Sequence, residues 1–360
     1  MTAANYQVRD NLPLLAEMMD ARFKCDPLYQ PTLYWTVGER TFVRELQHVG
    51  LKDFRRRKGS ILSSFGAVDL AIKGNIRFEP PVQFRGLWRI NRGLLRVTQI
   101  FEECYFTFNP NIVHDPEEIT KYFYRMVKYK YENLGLDIQK CPVSLWGNPE
   151  DLIELGGTFW SLAHLQYCSM FIDAARHITF GSDMVFCELG SGLGRNVEVL
   201  AQLFPEATFF VFDIPPQLYV AHQYLSEVFG NRLIKYNEAV LLKPTSGRSM
   251  PDCVKGKIVL LPSWFMPVWS DVKMDIFWNS ASFQEMEPNV VVNYLRLVKT
   301  INPRWIYINA LPKGKDGTKI PISDNYYTES LGSQYNLLCT YETDYFLRSQ
   351  GYLSYVFKSI

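Results

Sequence analysis

Val185-Phe186-Cys187-Glu188-Leu189-Gly190-Ser191-Gly192-Leu193-Gly194 is the stretch that decides the fold. Its apolar first half reads as a buried strand with an acid near the end, and three glycines on alternate positions then open a helix. Glycine permits a tight strand-to-helix turn and lets the backbone approach a ligand with no Cβ in the way. One helix later a second strand, Thr208-Phe209-Phe210-Val211-Phe212-Asp213, ends in a carboxylate. Asp213 lies about twenty residues past the glycines, where a Rossmann-like site holds a ribose by its hydroxyls. The two strands together predict a site for an adenosine-containing cofactor.

The loop itself separates two cofactor classes. A dinucleotide site asks for G-x-G-x-x-G, with the helix N-terminus facing a pyrophosphate. Here the glycines run G-x-G-x-G, and Arg195 stands where the third dinucleotide glycine belongs. S-adenosylmethionine has no phosphate but carries an ammonium that favours a nearby carboxylate, and Glu188 sits two residues upstream. The pattern E-x-G-x-G-x-G resembles the first motif of the class I methyltransferases. A glycine-rich turn that merely joins strand to helix is the plainer alternative, and Asp213 argues against it.

Composition agrees with a packed enzyme. The 360 residues suffice for one large or two ordinary domains. At 47% hydrophobic and 21% charged the chain is no disordered polymer. A net charge of +1 creates no global field for nucleic acid or an anionic membrane. The basic run Arg55-Arg56-Arg57-Lys58 reads as a solvated helix end, with a phosphate-bearing substrate as the alternative. Aromatics at 15% suit a cleft lined with flat rings. Seven scattered cysteines without a C-x-x-C pair read as buried thiols of a reduced compartment, and five scattered histidines lack zinc spacing. The N-terminal residues do not read as a signal peptide and no stretch is apolar for long enough to span a bilayer, so a cytoplasmic protein is expected.

Along the chain, residues 1–150 lack βαβ rhythm. Leu12 to Phe23 and Ile119 to Leu134 carry helical spacing, while Ile76 to Pro81 and Tyr105 to Asn111 read as short extended pieces. Pro142, Gly147 and Pro149 mark a boundary, giving a mostly helical accessory domain over 1–150 and an α/β domain over 151–360. A helix from Thr158 to about His177 precedes the first strand, Met184 to Leu189. Further strands are expected at 208–213, 258–261, 275–279 and 305–309, with helices between them, one stopped by Pro205 and the next started by Pro215-Pro216. A terminal antiparallel pair, 335–341 and 352–358, completes a Rossmann-like seven-stranded sheet of the methyltransferase kind, its ligand at the strands' carboxyl ends.

Phe212-Asp213-Ile214-Pro215-Pro216-Gln217-Leu218 and Trp278-Asn279-Ser280-Ala281-Ser282-Phe283-Gln284-Glu285-Met286 resemble the bacterial sugar O-methyltransferase family, as does the lead-in Trp146-Gly147-Asn148-Pro149. The resemblance covers the C-terminal half. It implies an S-adenosylmethionine site on Glu188, Gly190, Gly192 and Asp213, with Ser191 and Ile214 flanking it, and a sugar or glycoside as acceptor. Ser263 and Trp264 end the third strand, where methyltransferases usually contact adenine: Trp264 could stack on the base and Ser263 bond to its edge, or Trp264 could be core. Asn279 and Ser280 end the fourth strand beside the expected sulfonium.

An alcohol is a poor nucleophile at neutral pH and benefits from a general base. Glu285 is the first candidate, with Phe283 and Met286 placed to desolvate it; a helix-start acid is its alternative role. His164 is the second candidate, with a packed core histidine as its alternative. Asp324, among Ser323, Asn325, Tyr326 and Tyr327, is the third and is expected to line the substrate cleft. No carboxylate cluster announces a metal. The expectation is an S-adenosylmethionine-dependent O-methyltransferase acting on a small-molecule sugar or glycoside, with no nucleic-acid or membrane partner and with room for a homo-oligomer. An NAD(P)-dependent oxidoreductase and a non-catalytic binding module are the rivals.

Overall fold

The apolar runs named above pair into one twisted sheet in the computed structural model, which describes residues 6–56, 116–245, 249–312, 326–343 and 351–360. A small hairpin, β1 (Ile153–Leu155) and β2 (Thr158–Trp160), stands apart from it. The sheet comprises β3 (Val185–Leu189), β4 (Thr208–Asp213), β5 (Leu233–Ile234), β6 (Ile258–Pro262), β7 (Ile276–Ser280), β8 (Trp305–Ala310), β9 (Tyr335–Glu342) and β10 (Leu353–Ser359). Their spatial order is β5-β6-β4-β3-β7-β8-β10-β9. All neighbours are parallel as far as β8, whereas β10 runs antiparallel to both β8 and β9. This is the expected Rossmann-like sheet, with one strand more than the seven predicted. The extra strand, β5, has two residues on the sheet edge, too few to leave an alternating pattern in the sequence.

Every residue of β3, β4, β6 and β8 is buried, as parallel strands covered on both faces should be. Successive side chains feed two cores. Phe186 and Phe209 point to one face, while Cys187, Leu189 and Phe210 point to the other.

The longer helices are α1 (Leu12–Arg22), α2 (Leu33–His48), α3 (Pro116–Asn133), α4 (Leu162–Ala174), α5 (Arg195–Leu203), α6 (Pro215–Phe229), α7 (Pro288–Ile301) and α8 (Tyr326–Leu331). Their ends follow local chemistry. Ser161 accepts the His164 amide to start α4, Pro215-Pro216 occupy the first turn of α6, and Asn302 closes α7 in the left-handed conformation at φ 51°. The helix expected from Thr158 begins later, because Gly156 and Gly157, at φ 64° and 83°, turn Thr158–Trp160 back onto Ile153–Leu155. Among the described residues, α1 packs on α6 and α3 on α4, so Leu15, Met18, Phe42, Phe123 and Val127 join the core that also holds Phe186 and Trp278. The extended pieces expected between residues 76 and 111 lie outside the described residues.

Two compositional readings change. Arg55 is buried, while Arg56 is exposed. Of the described cysteines Cys141, Cys168 and Cys187 are buried, Cys25 and Cys339 half-buried, and Cys253 exposed. No described helix is long and apolar enough to cross a membrane.

Candidate functional site

Three left-handed glycines build the loop after β3, at φ 78° for Gly190, 56° for Gly192 and 78° for Gly194. A side chain at either end would collide. A Cβ on Gly190 would overlap the Ser282 side chain, and one on Gly194 would meet Leu225 Cδ1 at 2.6 Å. Gly190 therefore allows contact with the loop after β7, and Gly194 seats α5 against α6. The Gly190 amide donates to the Phe212 carbonyl at 2.8 Å, which fixes the loop across the end of β4.

Two carboxylates face this loop. Glu188 is fully buried, and its Oε1 accepts a 2.7 Å bond from Asn196 Nδ2. Its Oε2 has no partner. Burial pushes its pKa up to about 8; the Asn196 bond opposes this and the Asp213 charge adds to it. Asp213 accepts from the Gly192 amide through Oδ2 and from the Ile214 amide through Oδ1, both at 2.7 Å. Burial raises it to about 7 against those two bonds, and the nearby Glu285 charge raises it further. Ser191 Oγ stands 3.5 Å from Asp213 Oδ2. Gly190, Ser191, Gly192 and Ile214 are half-buried, at the mouth of the loop.

The segment after β7 comes to the same edge. Ala281 turns at φ 57°, a left-handed conformation that costs a residue with a Cβ of order 1 kcal/mol. Asn279, expected among the cofactor contacts, uses its amide to fasten the backbone. Nδ2 donates to the Leu189 carbonyl at 2.8 Å and Oδ1 accepts from the Phe283 amide at 3.1 Å. It thus clamps the loop after β7 to the end of β3. Gln284 makes a similar brace between Tyr352 Oη and the Leu311 amide. Glu285 closes a 3₁₀ turn, nearly buried, with its backbone carbonyl accepting from Thr32 Oγ1 at 2.6 Å. Ser263 is buried and donates to the Tyr29 carbonyl at 2.9 Å, while Trp264 beside it is half-buried.

His164 does not join these groups. Its ring is fully buried, with Nε2 bonded to the Cys141 carbonyl at 2.8 Å and Nδ1 3.8 Å from Glu198 Oε1. Burial pushes its pKa down to about 4 against the attraction of Glu198, so the ring is neutral at physiological pH. It belongs to a buried cluster with Arg55, Arg195, Glu198 and Tyr224. Glu198 accepts from Arg195 at 2.9 Å, Tyr224 Oη at 2.8 Å and the Ser144 amide at 2.8 Å. Burial alone would raise Glu198, but Arg195, His164 and Arg55 hold it at about 2. Arg55 donates to the Ser144 and Trp146 carbonyls, tying the lead-in to α5 and α6. Asp324 lies outside the described residues.

The structure adds residues that no motif announced. Asn196 holds Glu188 from the first turn of α5, and Tyr29 and Thr32 reach the carboxyl edge from far along the chain. Asp26-Pro27, a capping acid before a first-turn proline, is a local signal of a turn there.

No protein-family model and no curated protein matches the chain. Among solved structures it is similar to the fibrillarin pre-rRNA processing protein of Methanococcus jannaschii, at 13% identity over 58% of this chain and 81% of that one, with a TM-score of 0.39. A SAM-dependent methyltransferase from Aquifex aeolicus gives 12% identity over 52% and 88%, with a TM-score of 0.34. Magnesium protoporphyrin IX methyltransferase from Synechocystis, solved with bound SAM, gives 12% over 53% and 76%, with a TM-score of 0.35.

Proposed function

We propose that the protein is an S-adenosylmethionine-dependent O-methyltransferase acting on a hydroxyl of a sugar or glycosylated small molecule. One observation carries the cofactor reading. Glu188 Oε2 is buried without a partner beside a loop of three left-handed glycines, and a buried polar atom in that state calls for a ligand to complete it. An amino-acid ammonium fits it, since a positive charge there would draw Glu188 back to its ionised form. A dinucleotide loop would need a third glycine where Arg195 stands. That disfavours the dinucleotide rival, and the intact loop disfavours a non-catalytic module, which need not retain Glu188 and three glycines.

In this reading Glu188 holds the ammonium end, Gly190 and Gly192 line the path of the ligand, and Asp213 accepts the ribose hydroxyls. Trp264, half-buried beside β6, lies beside the adenine. When bound, S-adenosylmethionine supplies an electrophilic methyl group. The chain's own task is to align the acceptor hydroxyl and take its proton. Glu285 stands at the carboxyl edge where that proton is released, whereas His164 lies in the buried cluster, so Glu285 is assigned the base. The N-terminal residues cap the cleft and contribute to acceptor binding. The sugar assignment is supported by the resemblance of the segments after β4 and β7 and by the aromatic content.

S-adenosylhomocysteine should bind and raise the melting temperature, because a ligand selective for the native state stabilises it by mass action. A panel of nucleotide sugars, free sugars and glycosides with labelled methyl donor then identifies the acceptor. NADH binding without a response to S-adenosylhomocysteine overturns the proposal. Glu285→Gln should retain cofactor affinity while turnover falls by roughly 10²–10⁴-fold, the usual general-base contribution. If affinity falls instead, Glu285 belongs with Asp213 at the ribose.

A further inference from the structure

The stretch between α1 and α2 is fastened to the sheet's carboxyl edge at two separated places. A 3₁₀ turn, Pro27–Tyr29, is capped by Asp26, whose Oδ1 accepts the Leu28 amide at 2.9 Å. At one end Ser263, directly after β6, donates to the Tyr29 carbonyl, and the Tyr29 ring meets Tyr294 edge-on at 5.7 Å. At the other end Thr32 Oγ1 donates to the Glu285 carbonyl, and the Leu33 amide donates to Glu287 Oε1 at 2.8 Å, both beyond β7.

Sheet order makes this arrangement informative. β6 and β7 are not neighbours, because β4 and β3 lie between them. A segment tied to the ends of both outer strands must cross the ends of the inner two. Those inner ends carry Asp213 and the glycine loop. Three inter-strand gaps amount to roughly 14 Å, and the extended backbone from Tyr29 to Thr32 reaches roughly 10 Å. Ser263 and Glu285 lie beyond the strand ends, in the segments that follow β6 and β7, and the Glu285 charge is close enough to raise the Asp213 pKa.

We propose that residues Asp26–Leu33 form a strap over the nucleoside end of the cofactor site, and that Thr32 is a positioning residue that holds the Glu285 turn while the strap is shut. The inference rests on the cofactor reading above. With the strap shut, a ligand seated on Asp213 has no direct path out, so cofactor exchange follows strap opening. Two side-chain hydrogen bonds, one amide-to-carboxylate bond, the Tyr29–Tyr294 contact and the packing of half-buried Leu28 and Tyr29 on the core hold it, local contacts that can open without global unfolding.

Thr32→Val tests this cleanly, since the Thr32 hydroxyl does not cap α2 and its loss leaves that helix start intact. Stopped-flow fluorescence with S-adenosylhomocysteine should show association and dissociation both faster by about tenfold, the scale of one lost hydrogen bond, with little change in their ratio. A gate that opens more often speeds both directions alike. Thr32→Ser restores the donor and should restore both rates. Amide hydrogen exchange across residues 28–33 should slow in the wild type when the ligand binds. Unchanged rates in Thr32→Val, or strap exchange indifferent to bound ligand, overturns the strap while leaving the cofactor reading standing. Absence of any S-adenosylhomocysteine binding to the wild type overturns both.

Discussion

Glu188 is the residue on which the site turns, and its burial has a measurable consequence. A carboxyl raised from 4.5 to about 8 in the native state keeps its proton where the unfolded chain has lost it. Unfolding therefore releases a proton between those values, and the contribution to stability, full below about 4.5, disappears as pH rises through about 8. Asp213, raised from 3.8 to about 7, acts in the same direction. The ligand-free protein should accordingly melt at progressively lower temperature from pH 5 to pH 8, and Glu188→Gln should flatten part of that slope. A ligand bearing an ammonium should reverse the trend, stabilising more at pH 8 than at pH 6. Melting curves with and without S-adenosylhomocysteine check both statements, and a slope identical in Glu188→Gln contradicts them. The sequence made Glu188, the glycines and Asp213 legible because their spacing is local. It could not show that Asn196 answers one Glu188 oxygen, which depends on how the glycine loop turns α5 back, or that Asn279 clamps backbone, which depends on β3 and β7 becoming neighbours.

Among elements, α5 joins the cofactor loop to the rest of the molecule. Its first residue, Arg195, follows Gly194, and one turn later Glu198 is the carboxylate facing Arg195, Arg55, Tyr224 and His164. Glu198→Gln leaves two buried guanidinium groups around a neutral amide. Breaking a buried ion pair from one side costs about 3–5 kcal/mol, so urea denaturation should show a loss of that order. Tyr224→Phe removes the bond to Glu198 and a longer one accepted from Arg55 at 3.5 Å, and should cost only about 1–2 kcal/mol. Comparable losses in the two variants would mean that packing, not charge, sets the value. Two-residue β5 was too short to leave a pattern, but the other seven strands of the sheet were readable to within a residue as runs bounded by polar loops. The β1–β2 hairpin was not, since Thr158-Phe159-Trp160 runs without a break into the apolar start of α4. Arg55 was misread for a related reason: a run of basic residues looks solvated until the partner of one member is known.

At the scale of the molecule, the shared core governs how the chain unfolds. Leu15 and Phe42 from the N-terminal residues lie in the same packed group as Phe186 and Trp278 of the sheet. The prolines and glycines near residue 150 read as a boundary between two domains, and calorimetry can test it. Continuous packing should make the described parts melt together, as one calorimetric transition whose van't Hoff and calorimetric enthalpies agree. Two resolved transitions would support the division at residue 150. The order of strands at the far edge carries a consequence for biosynthesis. Among the described residues β9 is bonded to the sheet only through β10, yet it precedes β10 in the chain. While the polypeptide emerges from the ribosome, β9 has no partner until β10 has been made and has docked on β8. For that interval Leu337 and Leu338 sit on an unpaired strand, the kind of segment that invites chaperones or association between nascent chains.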